Sequence, residues 1–174
     1  MTGGARGCGL AFAQGLAEAG ADVAIFDVIA PVEAFFAIEK DYGVKTGHYI
    51  VDVSSITSLE EGFAAFKADF GGKLDICVPC AGINRNVSFL DTTFEEFQKL
   101  LGVNVTGVYH TAQLAAKQMI GNGTKKGSIV LVASIASYMA IRSQMSSAYC
   151  GTKGAVRAMV PAIAAELNQY VSYC

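Results

Sequence analysis

A doubly wound α/β fold, with a parallel sheet covered by helices on both faces, is predicted by three observations. Short apolar runs bounded by turn signals alternate with stretches of helical spacing. A glycine-rich turn, Thr2-Gly3-Gly4-Ala5-Arg6-Gly7-Cys8-Gly9, opens the first helical stretch. The chain has 174 residues, 52% hydrophobic and 16% charged, enough for one compact domain with a single core and too apolar for disorder.

The elements follow in order. Gly9 to Ala19 carries helical spacing, and Val23-Ala24-Ile25-Phe26 reads as a strand ending at Asp27. Val32 to Lys40 is the next helix and Gly47 to Val51 the next strand, ending at Asp52. Leu59 to Phe70 is helical, and Leu74 to Val78 is a strand. A long helix over Phe94 to Ile120 is followed by the surface loop Gly121 to Gly127, whose glycines and lysines oppose burial. The strand Ser128 to Val132 and the helix Ala148 to Leu167 complete the pattern. Repeated β-then-α order is the mark of a doubly wound sheet. The sequence shows no repeat, low-complexity segment or interdomain linker, so residues 1–174 are read as a single domain.

Composition excludes several function classes. A net charge of −2 without a basic cluster gives no footing for nucleic acid. No twenty-residue uncharged apolar run occurs, and the N-terminus lacks a secretory pattern, so a soluble cytoplasmic protein without a membrane partner is expected. Five cysteines without regular spacing do not form a disulfide framework, which fits a reducing compartment.

The glycine turn carries the first piece of chemistry. Gly3 permits a tight bend, Gly7 lets the backbone approach a pyrophosphate, and Gly9 allows close packing of helix on sheet. The helix that opens there aims free N–H groups and its positive end at phosphate. Asp27, at the end of the next strand, is placed to accept hydrogen bonds from the adenosine ribose and to repel a 2′-phosphate. That favours NAD over NADP. Arg6 pulls the other way, since a cation in the turn could pair with a 2′-phosphate.

Tyr149 and Lys153 carry the second. Four residues apart on a helix, they share one face. A free phenol ionises near pH 10, about three units above neutrality, and is a poor base until a nearby ammonium favours the phenolate. Alone, such a pair is an ordinary solvated helix face. Beside a dinucleotide turn it points to hydride transfer on an alcohol or carbonyl.

Thr2-Gly3-x-x-x-Gly7-x-Gly9, Asp27, Asp52-Val53, Ala81-Gly82, Asn104 and Tyr149-x-x-x-Lys153, in this order on alternating strands and helices, resemble the short-chain dehydrogenase/reductase family. The likeness covers all but the last few residues and implies a Rossmann-type fold. Ser134-x-x-Ser137 and the polar loop before Tyr149 resemble fungal polyol and sugar-alcohol dehydrogenases. The resemblance implies Tyr149 as general acid/base, with Lys153 holding the nicotinamide ribose and favouring the phenolate. It gives Ser134 the substrate oxygen, and Asn104 a water for proton relay. Asp52 and Val53 would contact adenine, Leu10 would belong to the cofactor-binding helix start, and Ala81-Gly82 would leave the cofactor room. Ala136 stands at the spacing before the tyrosine that the family uses most often; counting from Gly127 places Ser134 at the strand's end, with Ser137 as the fallback.

Other positions depart from the family or look like decoys. Pro79-Cys80-Ala81-Gly82 replaces the common Asn-Asn-Ala-Gly, and Pro79, lacking a donor, should sit at the strand's end. Pro161 falls inside the last helix, where it deletes a backbone bond and is expected to kink it. Cys77-x-x-Cys80 has redox spacing but no helix start directly after it. His48 and His110 lack ligand-spaced partners and read as surface or core residues, so no metal is expected. The sequons at Asn86, Asn104 and Asn122 read as chance without a secretory signal.

In the family's sheet the strand before the glycine turn lies between the Asp27 and Leu74 strands. This chain has no residues for it, which would leave two interior edges unpaired. After Glu166-Leu167 the family continues into further strands and a substrate-covering segment, whereas here Asn168 leads to Val171-Ser172-Tyr173-Cys174. The expectation is a partial gene product, an incomplete dinucleotide-binding domain lacking the first strand and the C-terminal strands. Three functions stand open: an NAD-dependent oxidoreductase of a polyol or other secondary alcohol or ketone, a non-catalytic fragment with residual nucleotide or partner binding, and a 3-oxoacyl thioester reductase. Family members generally associate through the two long helices, so the full-length form is expected to be a homo-oligomer.

Overall fold

The computed structural model describes residues 1–124, 126–140, 143–168 and 170. The predicted order of elements is reproduced: α1 (Gly7–Glu18), β1 (Val23–Asp27), α2 (Glu33–Tyr42), β2 (Thr46–Ile50), α3 (Ile56–Asp69), β3 (Ile76–Cys77), α4 (Phe94–Leu101), α5 (Val108–Gly121), β4 (Ser128–Ile129) and α6 (Ser147–Leu167). The strands are parallel, with β1 paired to β2 from Val23↔Thr46 to Asp27↔Ile50 and β3 paired to β4 at Ile76↔Ser128 and Cys77↔Ile129. The two later strands are shorter than their apolar runs suggested. The fold is a Rossmann-type parallel sheet without the family's first and C-terminal strands among the described residues.

The interior edges predicted to lie unpaired are partly bridged. Thr2 pairs in parallel with both Phe26 and Pro79. Its N–H donates to Val78 O at 3.1 Å, its hydroxyl accepts from Ala81 N–H at 3.1 Å, and Gly3 N–H donates to Phe26 O at 2.7 Å. Pro79 therefore needs no donor of its own, which is why a proline is tolerated at this strand end. Residues 1–2 thus join the two strand pairs in the order β2, β1, Thr2, β3, β4. Beyond Met1 the same gap continues as an open cavity of about 330 Å³.

Apolar clusters lie on both faces. On one, Ala13 and Ala17 of α1 and Phe35 and Ile38 of α2 pack on Val23, Ile25 and Val44. On the other, Phe26, Val51 and Val53 meet Leu59 and Phe66 of α3, and Cys77 meets Ala115 and Met119 of α5. Burying one such side chain stabilises by about 1.5–3 kcal/mol, which is what holds each helix to its face.

The long helix predicted over residues 94–120 forms with one modification. Thr93 and Glu96 form a reciprocal capping box at its start. Gly102–Gly107, between α4 and α5, is wound as a π-helix. Pro161 lies within α6, and the helix runs on through it to Leu167. The proline is exposed, so water can satisfy the carbonyl one turn earlier that its missing N–H leaves free. Lys125 of the predicted loop and the closing Val171–Cys174 lie outside the described residues.

Candidate active site

The glycine turn runs from the bridge at Thr2 into α1. Gly3 adopts φ 69°, and a Cβ there would meet Ala81 Cα at 2.8 Å, so the bend presses directly on the Ala81-Gly82 segment. Gly9 is equally constrained, since a Cβ would stand 2.0 Å from Gly3 O; its close contact is with the turn itself. Contact with the sheet falls instead to Gly4, where a Cβ would overlap Ile25 Cγ2 at 2.5 Å. Gly7, at φ 59°, has nothing within 4 Å of its Cβ position and faces open space. Arg6 is the N-cap of α1, is exposed and makes no side-chain capping bond. Leu10, one turn into the helix, packs against the α1–α2 core.

Asp27 serves the turn from the carboxyl end of β1, the side on which a doubly wound sheet opens its ligand crevice. Its Oδ2 accepts Ala5 N–H at 3.0 Å, and among the described residues Oδ1 accepts only the long 3.4 Å contact from Ile29 N–H, so acceptor capacity remains. Asp52 is exposed, and its Oδ1 accepts from the amide and hydroxyl of Ser54. The Val53 side chain is buried among Phe26, Val51 and Leu59, which leaves its backbone for any ligand contact.

The other end of the crevice is built from side chains. Asn104, fully buried in the π-helical turn, accepts Ile83 N–H at 2.8 Å and donates to Ile83 O at 2.8 Å and Thr152 Oγ1 at 3.1 Å. Thr152 Oγ1 donates in turn to Tyr149 O at 2.8 Å. Lys153 is 3% exposed, with Nζ 2.7 Å from Val132 O and 5.9 Å from the Tyr149 ring centre. Burial pushes the Lys153 ammonium below its ordinary range, an effect opposed by the Cys80 thiol. Burial likewise raises Cys80, against the influence of Lys153.

Ser134 lies two residues beyond the carbonyl that Lys153 holds. It caps the short 3₁₀ turn Ile135–Ser137, which packs on α6, and its Oγ accepts Ala136 N–H at 3.1 Å. The hydroxyl proton stays available to a substrate oxygen. Ser137 Oγ donates to Ser134 O at 2.6 Å and is occupied in the turn. Tyr149 is half-buried, and its hydroxyl has no hydrogen bond among the described residues. Gly82 joins the two ends: a Cβ there would stand 3.4 Å from Asn104 Oδ1 and 3.5 Å from Lys153 Nζ.

A sequence model of the short chain dehydrogenase family matches residues 1–172. The chain belongs to that family. It is 35% identical to an L-rhamnose 1-dehydrogenase (NADP(+)) of Thermoplasma acidophilum, over 98% of this chain and 66% of that protein. It is 30% identical to a sorbose reductase of Schizosaccharomyces pombe, over 95% of this chain and 66% of that protein. A solved NAD+-bound xylitol dehydrogenase superposes with a TM-score of 0.87 at 31% identity, covering 98% of this chain and 65% of that one. The family is one of oxidoreductases, and this chain spans about two thirds of these relatives' length.

Sequence reasoning missed four groups that hold the site together. The Thr2 hydroxyl and the Ile83 backbone left no signal, because their roles depend on partners 79 and 21 residues away. Gly4 was readable only as one more glycine of the turn. Thr152, between Tyr149 and Lys153, could have been found from its i+3 spacing to the tyrosine carbonyl. Among the described residues no cluster of three His, Cys, Asp or Glu could hold a metal, and no helix is long and apolar enough to cross a membrane. His48 packs edge-on against Phe35 and Phe36. The Cys77 thiol is buried and pushed up to about 11.

Proposed function

We propose that this chain carries the cofactor-binding and catalytic residues of an NAD-dependent oxidoreductase acting on a polyol or related secondary alcohol or ketone. The observation that carries the reading is the convergence at Gly82 of the glycine turn, through Ala81, with Asn104 and Lys153. A dinucleotide fits these residues. Gly7 faces open space, the α1 start has no capping side chain in the way, and Asp27 keeps acceptor capacity for a ribose. Asp27 favours NAD, while the exposed Arg6 is the feature that would admit NADP.

When bound, the nicotinamide accepts or supplies the hydride. The chain's part is position and proton transfer. Tyr149 Oη takes the alcohol proton in oxidation and returns it in reduction. Ser134 donates its hydroxyl to the substrate oxygen. Lys153, fixed by Val132 O, holds positive charge near the phenol and would hold the nicotinamide ribose. Asn104 has its amide engaged by Ile83 and Thr152, so its role in proton relay is to fix the π-turn that would seat a water. Polyol specificity is supported by the sorbose reductase and xylitol dehydrogenase similarities. A small-molecule alcohol or ketone partner, a cytoplasmic setting and a homo-oligomeric full-length form belong to the same reading.

The test is NAD titration by cofactor fluorescence, followed by turnover on a polyol panel for the chain and Tyr149→Phe. Saturable binding is expected of both proteins and turnover only of the first. Absence of saturable NAD binding would sink it in favour of a non-catalytic fragment, and equal turnover by the variant would remove Tyr149 from its role.

A further inference from the structure

Between β3 and α4 the chain runs from Gly82, beside Lys153 Nζ, without helix or strand until Phe94. Two side chains tie the first part of this segment to the tyrosine end of the crevice. Asn104 holds Ile83 through both its N–H and its carbonyl. Asn86 makes the second tie, because its Oδ1 accepts Met145 N–H at 2.8 Å across 59 residues of sequence. Asn86 thus has a use that its sequon does not suggest.

Met145 stands immediately before Ser146, the N-cap of α6, and four residues before Tyr149. A serine at this place ordinarily accepts a hydrogen bond from a free N–H of the first turn. Here it does not: Ser146 makes no capping bond, and its hydroxyl lies 3.9 Å from Cys150 Sγ instead. The first turn closes through Cys150 N–H and Ser146 O at 2.9 Å, next to an end that its own side chain leaves unfixed. Asn86, from another part of the chain, holds the residue before it.

These contacts close a circuit around the tyrosine. From Asn86 it passes through Met145 into α6, runs by Tyr149 to Thr152, crosses to Asn104 and returns through Ile83 to Asn86. Loss of the Asn86 acceptor opens the circuit at the start of α6, while the Asn104 bonds and the hold of Val132 O on Lys153 stand. The bond is exposed and between neutral groups, so it contributes little to stability, yet a shift of about 1 Å in a reacting group can cost about 10²-fold in rate. We propose that Asn86 is a positioning residue for Tyr149, clamping the entry to α6 so that the phenol meets the substrate oxygen. The catalytic consequence rests on the dehydrogenase reading; the clamp on the helix does not.

The test compares Asn86→Leu, which keeps the size and removes the acceptor, with Asn86→Asp, which keeps an acceptor oxygen in the same place. Amide hydrogen exchange at Met145 and Cys150 is read beside steady-state turnover and NAD titration. In Asn86→Leu, exchange should quicken at least about tenfold at Met145 and severalfold at Cys150, and kcat should fall about tenfold, with NAD affinity within about twofold of the parent. Asn86→Asp should return both amides and most of kcat toward the parent, which general damage to the fold would not allow. Parental exchange at Cys150 in Asn86→Leu, parental kcat beside quickened exchange, or an aspartate variant no better than the leucine one would each overturn the proposal. A parent that neither binds NAD nor turns over would count against the dehydrogenase reading instead, and exchange at Cys150 would still decide whether Asn86 holds the helix.

Discussion

The two ends of the crevice are built by opposite means. At the glycine turn, function rests on side chains that are missing: Gly3, Gly4 and Gly9 let backbone meet backbone or sheet, and Gly7 leaves a space. At the tyrosine end it rests on side chains that are present and bonded to one another, from Ile83 through Asn104 and Thr152 to the Tyr149 carbonyl. The difference teaches where each end is fragile. The turn fails by steric overlap, which disturbs the fold and the cofactor together, whereas the tyrosine end can lose chemistry while its architecture stands.

The largest expected effect sharpens that contrast. Tyr149→Phe removes a hydroxyl that has no hydrogen bond among the described residues and should lower turnover by about 10²–10⁴-fold, with NAD affinity and melting midpoint close to those of the parent. Steady-state kinetics beside a binding titration checks it.

Gly9→Ala should do the reverse. Its Cβ would collide with the Gly3 carbonyl at 2.0 Å, a backbone atom that cannot swing aside. Loss of at least ~2 kcal/mol of stability in urea unfolding is expected, together with loss of NAD binding. Gly7→Ala is the comparison: with open space around it, it should cost only about 1–2 kcal/mol for its positive φ while weakening NAD binding. Equal stability of the Gly9 variant and the parent would break the account of the turn.

Thr152→Val tests the linkage at the tyrosine end. It keeps the shape, removes the acceptor for Asn104 Nδ2, and should cost about 1–2 kcal/mol. Turnover should fall with little change in NAD affinity. Thr152→Ser, which retains the hydroxyl, should restore much of it.

The smallest effect is in the pH dependence of stability. Lys153 is a cation whose folded pKa is lowered by burial, so between that value and the ordinary 10.5 the unfolded chain holds a proton the folded chain has released. Its contribution is therefore unfavourable at low pH and disappears as pH rises through this window. The parent should gain stability relative to Lys153→Met as pH rises toward 10.5 in urea melts, and parallel curves would contradict this.

The same contrast explains what could be read in advance. Element order, the ends of β1 and the turn are written locally, in runs and spacings of a few residues. The buried contact of Val53, the bridging by Thr2 and the Asn104–Thr152 bond depend on segments 24 to 79 residues apart, and no local pattern marks them. The place of Pro79 at a strand end is legible from its missing donor, whereas the partner that serves its neighbours is not: Thr2 donates to Val78 O and accepts from Ala81 N–H.

One measurement tests the convergence of the two ends most directly: amide hydrogen exchange of the chain with and without saturating NAD. Protection is expected at three places together, the turn from Gly3 to Leu10, the Ala81-Gly82-Ile83 segment and the first two turns of α6 around Tyr149 and Lys153. Protection confined to the turn, or absent from all three, would contradict a single site spanning the crevice.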